Sequence, residues 1–443
     1  MKKILSILLA CIFISSIISG CGSQNGTTDQ STSTAAVSNA ASTTNSETQS
    51  AEPVKISFLS KASSRAEIFK TVVDNFNNAN PDIIVEFESP AQNTDTVLQS
   101  RLATNNPPDL TTHITGQGTK PFVEGNQIID VTNEAFMQKI IPAVRDMMKY
   151  DGKNYCIPLD CQAFGVYYNK QLFQKAGIQE FPKTFDELSN AVGKLKDAGI
   201  VPFSQSLVDD YIMGQVVDIG GSPLLTGLIT GKLDAFQKGD FTFAGPEMES
   251  TLNVTDLILK NLGKNEDKAD TSKQYSDFAS GKAAMMVDGS WALMQLRELN
   301  KDLDADFAVL PVSNNAEESK FPVFYALSLN VMTGKNMDAV SKFVDYLLDP
   351  KANSVYYDSI GVPTAVADAK DAKIDPMAVT LRDTVVNGNI VSWMSAYEPA
   401  GMSQEIHKQI QVYSLDAYSG KTPSHEDLIK QIDGALKNAT ASK

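Results

Sequence analysis

The sequence predicts an α/β protein built as two lobes. From Val54 onward, strand and helix patterns alternate in the order that builds a largely parallel sheet covered on both faces. That body makes up most of the 443 residues, more than one hydrophobic core usually serves, so the apolar residues divide between two cores. A hydrophobic fraction of 42% supplies both.

The first 20 residues stand apart from the body. Lys2 and Lys3 form a basic start, and Ile4 to Ile18 form an apolar run broken only by serines. Ile18-Ser19-Gly20-Cys21 then closes the run as a bacterial lipobox closes a signal peptide. Cys21 is the expected mature N-terminus, carrying lipid and anchoring an extracytoplasmic protein to the cell membrane. Two acyl chains bury enough methylenes, at about 0.8 kcal/mol each, for stable attachment. Residues 21–53 follow as a tether of Ser, Thr, Ala, Asn, Gln and Gly, with too little apolar surface to offset ordering entropy.

Within the body, Val54 to Leu59 reads as the first strand, Glu67 to Asn78 as a helix, and Ile83 to Phe87 as the second strand. Thr94 to Ala103 continues as a helix and Leu110 to Ile114 as the third strand. Ligands of such sheets bind beyond the carboxyl ends of strands, which singles out the loops after Leu59 and Thr112. Thr184, with Glu187 three residues on, caps a helix whose apolar stripe is Leu188, Val192 and Leu195 and which Gly199 ends. Asp209 to Asp240 carries clustered glycines (Gly220, Gly221, Gly227, Gly231) and weak helical patterning, and reads as loop-rich surface. Asp349-Pro350 starts a helix that Gly361 closes, and Ser424, with Asp427 at the capping-box position, starts the last helix.

The formal charge of −15 repels phosphates and anionic headgroups, which argues against nucleic acid as a partner. Only Cys156 and Cys161 lie in the body, and their odd separation puts them on opposite faces of a strand, so free thiols are expected. His113, His407 and His425 lack ligand spacing, so no metal and no cofactor is expected.

A series of segments carries a family resemblance: PDIIVEFE; NNPPDL; DGKNYCIPLD; GVYYNKQLFQKAGI followed by FPKTFDELSNAVGKLKDAGIVPF; FASGKAAMMVDGSWAL; and KFVDYLLDPKANSVYYDSIGVPT. In order and spacing they resemble the extracellular solute-binding proteins of ABC importers, family 1, the carbohydrate-binding branch that includes maltose-binding protein. The resemblance implies the two-lobe type II periplasmic-binding-protein fold, with a hinge and an interlobe ligand cleft. It implies crossings near Asp160 to Phe164, near Val323 to Tyr325, and between Ala367 and Pro376. Lobe one is then 54–160 with 326–370, and lobe two is 161–325 with 371–443. The implied partners are a carbohydrate and the permease subunits of an ABC transporter, met by a monomer.

A pyranose presents C–H faces that pack on aromatic rings and hydroxyls that need paired donors and acceptors. Trp291, in the turn Asp288-Gly289-Ser290-Trp291, and Trp393 both fall where the chain resembles the family's cleft-lining segments. Core packing is the competing use of either ring. The polar candidates are Ser60, Lys61 and Arg65 after the first strand, His113 and Gln117 after the third, and Asp160 and Gln162 at the first crossing. Asp210, within Asp209-Asp210-Tyr211, and Tyr325 at the second crossing complete the set.

Two other readings stay open on the residues alone. A glycoside hydrolase needs two carboxylates, which any part of the chain supplies, although Gly-x-Ser-x-Gly and His-Glu-x-x-His are absent from the sequence. A binding protein for a peptide or amino acid needs an Arg for the α-carboxylate, for which Arg65 and Arg101 are candidates; a polyamine needs several carboxylates and aromatic walls.

Overall fold

The structure is a computed structural model and describes residues 52–441, apart from 63–64, 91–92, 113, 325–326, 361–363, 372–373 and 400. Cys21, His113 and Tyr325 lie outside the described residues. The strands in chain order are β1 (Val54–Leu59), β2 (Ile83–Glu88), β3 (Leu110–Thr112), β4 (Ile157–Pro158), β5 (Gln162–Asn169) and β6 (Val201–Phe203). They continue with β7 (Ala283–Gly289), β8 (Ala305–Ala308), β9 (Phe321–Phe324), β10 (Ser328–Val331) and β11 (Ile390–Ser392).

These strands form two sheets, one per lobe. The first runs β2-β1-β3-β10-β4; the second runs β11-β9-β5-β7-β6, with β8 also paired to β5. β1 lies parallel to both β2 and β3, with Val54 opposite Ile83 and Phe58 opposite Leu110, as strand-helix-strand order requires. β10 returns antiparallel to β3 and β4, so chain from beyond the second lobe's strands completes the first lobe's sheet.

Helix packing follows from periodicity. The helix Ala66–Ala79 buries Phe69, Val72, Val73 and Phe76 on one stripe, and Phe69 meets Phe58 of β1 edge-on with centroids 5.4 Å apart. The helix Phe185–Asp197 carries the full capping box, the Thr184 hydroxyl accepting from the Glu187 amide while the Glu187 carboxylate accepts from the Thr184 amide. The last helix, His425–Ala441, has the Ser424 hydroxyl accepting from the Asp427 amide.

The segment expected to be loop-rich surface is instead a 22-residue helix, Asp210–Gly231, with thirteen buried residues. It is long and apolar enough to cross a membrane by length and composition, yet most of it is buried inside the protein. Its glycines permit close approach. A Cβ on Gly214 would lie 2.0 Å from His407 Cδ2, and one on Gly221 would lie 3.2 Å from Met394 Sδ. Buried on several sides, the helix needs no polar face, so its periodicity is weak.

A second difference concerns the helix expected from Asp349-Pro350. It begins later, at Ser354, because the Asp349 carboxylate accepts from the amides of Lys351 and Ala352 and holds a turn there first. The third strand is also shorter than expected, ending at Thr112.

Candidate functional site

The chain leaves the first sheet after Pro158 and enters the second at Gln162; it later leaves the second after Phe324 and re-enters the first at Ser328, and the residues flanking these two passages lie side by side. The Leu159 amide donates to the Leu327 carbonyl at 3.0 Å, and Gln162 and Ala163 pair with Phe324 and Val323. A third stretch joins them: Asp160 forms a backbone bridge with Thr364, and the Ala365 amide donates to the Leu159 carbonyl.

Asp160 is the centre of this crossing. Its side chain is wholly buried; Oδ1 accepts from the Leu327 amide at 2.9 Å and Oδ2 pairs with Arg65 Nη1 at 2.8 Å. Arg65 also donates to the Tyr356 hydroxyl at 3.1 Å and lies over that ring. The sequence nominated Asp160 and Arg65 as ligand contacts; the structure joins them to each other, because a carboxylate this deep requires a countercharge. Ser60 is engaged within the protein as well: its side chain is buried and its hydroxyl accepts from the Ala62 amide, turning the chain after β1. Lys61 keeps partial access and pairs with Asp95 at 2.7 Å, while its amide donates to Thr112 Oγ1.

Beside the crossing stands an aromatic cluster of Phe164, Trp291, Phe324 and Trp393. Phe164 touches the other three at centroid distances of 5.1 to 5.2 Å, and Phe324 touches both tryptophans at 5.8 Å. Gly289 makes room for this packing, since a Cβ there would fall 1.8 Å from Trp291 Cζ3. Trp393 is set by its backbone amide, which donates to the Val323 carbonyl, and by its indole N–H, which donates to Asp218 Oδ2 at 3.0 Å.

The cluster borders a cavity of about 1090 Å³. One wall comes from the first lobe, at Thr115, Gly116, Gly118, Lys120, Pro121 and Lys149 to Asp151. The other comes from the second lobe, at Leu233 to Lys238 and Ser392 to Pro399, and Val323 and Phe324 lie between. Trp393, Phe324 and Tyr397 offer ring surface there; Lys120, Lys149, Asp151, Asp234 and Glu398 offer charge and hydrogen bonds. Trp291 is partly buried and supports Phe324 and Phe164 without lining this cavity. Gln162 is buried at the start of β5, cross-strand from Phe324. Asp210 opens the long helix and is not among the residues of this lining, and Tyr211 bonds Thr271 at 3.0 Å.

Carboxyl groups behind the aromatic wall carry shifted acidities. Burial pushes Asp218 well above the usual carboxylate range, and the nearby charge of Glu398 adds to it. Glu398 is raised by its own burial, against hydrogen bonds from Ser403 and Ser395. Asp288, next to the Trp291 turn, is pushed up to about 7 by burial, against bonds from the Gly289 amide, Tyr275 and Gln274. Among the described residues no cluster of His, Cys, Asp and Glu suits a metal ion.

Phe164, Phe324, Tyr397, Glu398 and Asp218 were not among the sequence candidates. Phe164 and Phe324 sit inside the crossings the family resemblance located, so that signal was present. Asp218 was hidden in the segment misread as loop.

Two α/β lobes joined by adjacent crossing strands, with a cavity between them, define a hinged binding protein of the solute-receptor class. The chain belongs to the bacterial extracellular solute-binding protein family, whose profile matches residues 62–354. That family consists of extracytoplasmic binding proteins, not enzymes. The chain is 25% identical over 341 residues to the multiple sugar-binding protein of Streptococcus mutans, covering 74% of this chain and 78% of the relative. It is 24% identical over 274 residues to the melibiose/raffinose/stachyose-binding protein of Bacillus subtilis, covering 58% and 60%. Among solved structures, the apo form of RafE from Streptococcus pneumoniae matches with a TM-score of 0.76 at 20% identity, covering 88% of this chain and 99% of that one.

The buried pair yields a stability prediction. Arg65→Met strands the Asp160 carboxylate and is expected to cost about 3 kcal/mol of unfolding free energy in chemical denaturation. Adding Asp160→Asn, which still accepts from the Leu327 amide without charge, is expected to restore part of that loss.

Proposed function

We propose that this protein captures a sugar or oligosaccharide between its lobes and delivers it to the permease of an ABC transporter, held at the membrane by lipid on Cys21. The observation that carries the reading is the aromatic cluster at the crossing strands, presenting Trp393 and Phe324 to a cavity walled by hydrogen-bonding side chains. Aromatic faces with charged and amide groups around them match the alternating C–H faces and hydroxyls of pyranose rings. A volume of about 1090 Å³ lies just above the roughly 300–1,000 Å³ range of small-molecule sites, which favours an oligosaccharide over a single amino acid. The sugars in the names of the Streptococcus mutans and Bacillus subtilis relatives point the same way.

Each lobe supplies part of the wall, so only a closed arrangement lets a ligand make all its contacts, and ligand then shifts the open and closed populations. The closed form is the species a permease distinguishes from the empty receptor. Membership of a family of binding proteins supports a receptor role for this site.

Isothermal titration calorimetry against melibiose, raffinose, stachyose and malto-oligosaccharides tests the reading; heat from none of them would refute it. Trp393→Ala is expected to weaken the binding observed by about 1 to 3 kcal/mol, the scale of a lost aromatic anchor. For the anchor, Cys21→Ala is expected to move the protein from the membrane fraction to the supernatant, and unchanged membrane retention would contradict lipidation.

A further inference from the structure

Behind Trp393 lies a chain of polar groups whose protons can be counted. Asp218 Oδ2 accepts from Trp393 Nε1 at 3.0 Å and lies 2.9 Å from Ser395 Oγ. Ser395 Oγ lies 2.9 Å from Glu398 Oε1 as well, and Glu398 Oε2 accepts from the Ser403 hydroxyl. A serine hydroxyl has one proton, and an ionised carboxylate only accepts. Ser395 therefore donates to one carboxyl, and its contact with the other exists only if that carboxyl carries a proton and donates it back. With both acids ionised, one of the two 2.9 Å contacts would set two acceptors against each other.

We propose that Asp218 and Glu398 hold a single proton between them across Ser395, and that this proton fixes the Trp393 ring at the wall of the sugar cleft. The two carboxyls act as positioning residues for that ring. The segment they hold is short: Met394–Tyr397 is a single 3-10 turn, pinned at its start by the Met394 amide donating to Ser222 Oγ. The proposal deepens the sugar-binding reading and rests on it for its effect on affinity. It is supported by burial, which disfavours the charged form of both acids.

No cation is among the groups that shift either carboxyl of this pair. Helix Met402–Tyr418 brings His407 against Gly214, one turn from Asp218, where burial lowers the imidazole's basicity. Helix Pro246–Leu259 presents the uncharged Thr251 to Gly220. Helix Leu233–Lys238 contributes Asp234 and Lys238, and the first lobe contributes Lys120, Lys149 and Asp151, all at the cavity wall. The charge acting on Asp218 is that of Glu398. The pair consequently titrates as a unit, with the second ionisation displaced upward. Raising the pH removes the shared proton, leaves two carboxylates in one buried site, and breaks the link through Ser395. Glu398, at the cavity wall, is the partner with a path to water.

The test uses the indole N–H signals of the ¹⁵N-labelled sugar-free protein, followed by NMR from about pH 5 to pH 10, a range above the ordinary carboxylate values near 4. Trp393→Phe assigns the signal. The wild-type Trp393 signal is expected to titrate once; Asp218→Asn is expected to abolish that titration, and Glu398→Gln to move it to lower pH, since burial alone then raises Asp218. Either variant alone serves if the other fails to fold. The dissociation constant of the sugar is expected to rise about tenfold per pH unit above the transition, the slope for one linked proton. A Trp393 signal that stays constant in the wild type overturns the proposal. So does one that titrates alike in wild type and both variants, which would assign it to His407. If no sugar binds, the sugar-binding reading fails, and the indole titration still decides whether the proton is shared.

Discussion

A charge buried at the place where the chain crosses between lobes constrains the rest of the molecule. Asp160 is wholly enclosed, and its oxygens are committed to Arg65 and to the Leu327 amide, while its backbone bridges Thr364. Those partners come from the segment after β1, from the second crossing, and from the stretch beyond the helix Ser354–Ile360. An ionised carboxylate at this depth is tolerable only when all of them are in place. The requirement favours a specific arrangement of crossings more than it adds net stability, because desolvation offsets much of the attraction within the pair.

The same crossing positions the binding surface. Phe164 follows Asp160 by four residues and Phe324 precedes Leu327 by three, so the strands that meet at the ion pair also carry the aromatic cluster. Trp393 joins through β11, which pairs with β9, and Trp291 joins through the turn after β7, which pairs with β5. Ring surface therefore lies beside the crossing strands, while the walls of the cavity come from segments on either side of them. On the proposed function, a sugar held on the rings would meet the distant polar walls only as they approach each other.

Much of the fold was legible in the sequence. Alternation located the first strands, and the Thr184–Glu187 capping box located its helix, because those signals depend on neighbours within a few residues. The family resemblance pointed to the segments that carry Phe164, Phe324 and Trp393, of which Phe324 and Trp393 line the cavity while Trp291 does not. The long helix Asp210–Gly231 was not legible, since a helix buried on most sides loses its amphipathic period and its glycines answer to distant partners such as His407 and Met394. The polar candidates divided for a similar reason. An Asp or Arg beside a strand end looks alike whether it faces a ligand or a partner far along the chain, and the pairing of Arg65 with Asp160 appears only in three dimensions. Tyr325 and His113 remain proposed contacts.

The central claim is that ligand held at the aromatic cluster draws the two lobes together. Small-angle X-ray scattering on the protein, with and without a saturating oligosaccharide that calorimetry shows to bind, tests it most directly. The account predicts a smaller radius of gyration in the complex, as domain closure about the crossing strands requires. An unchanged radius at saturation would contradict it.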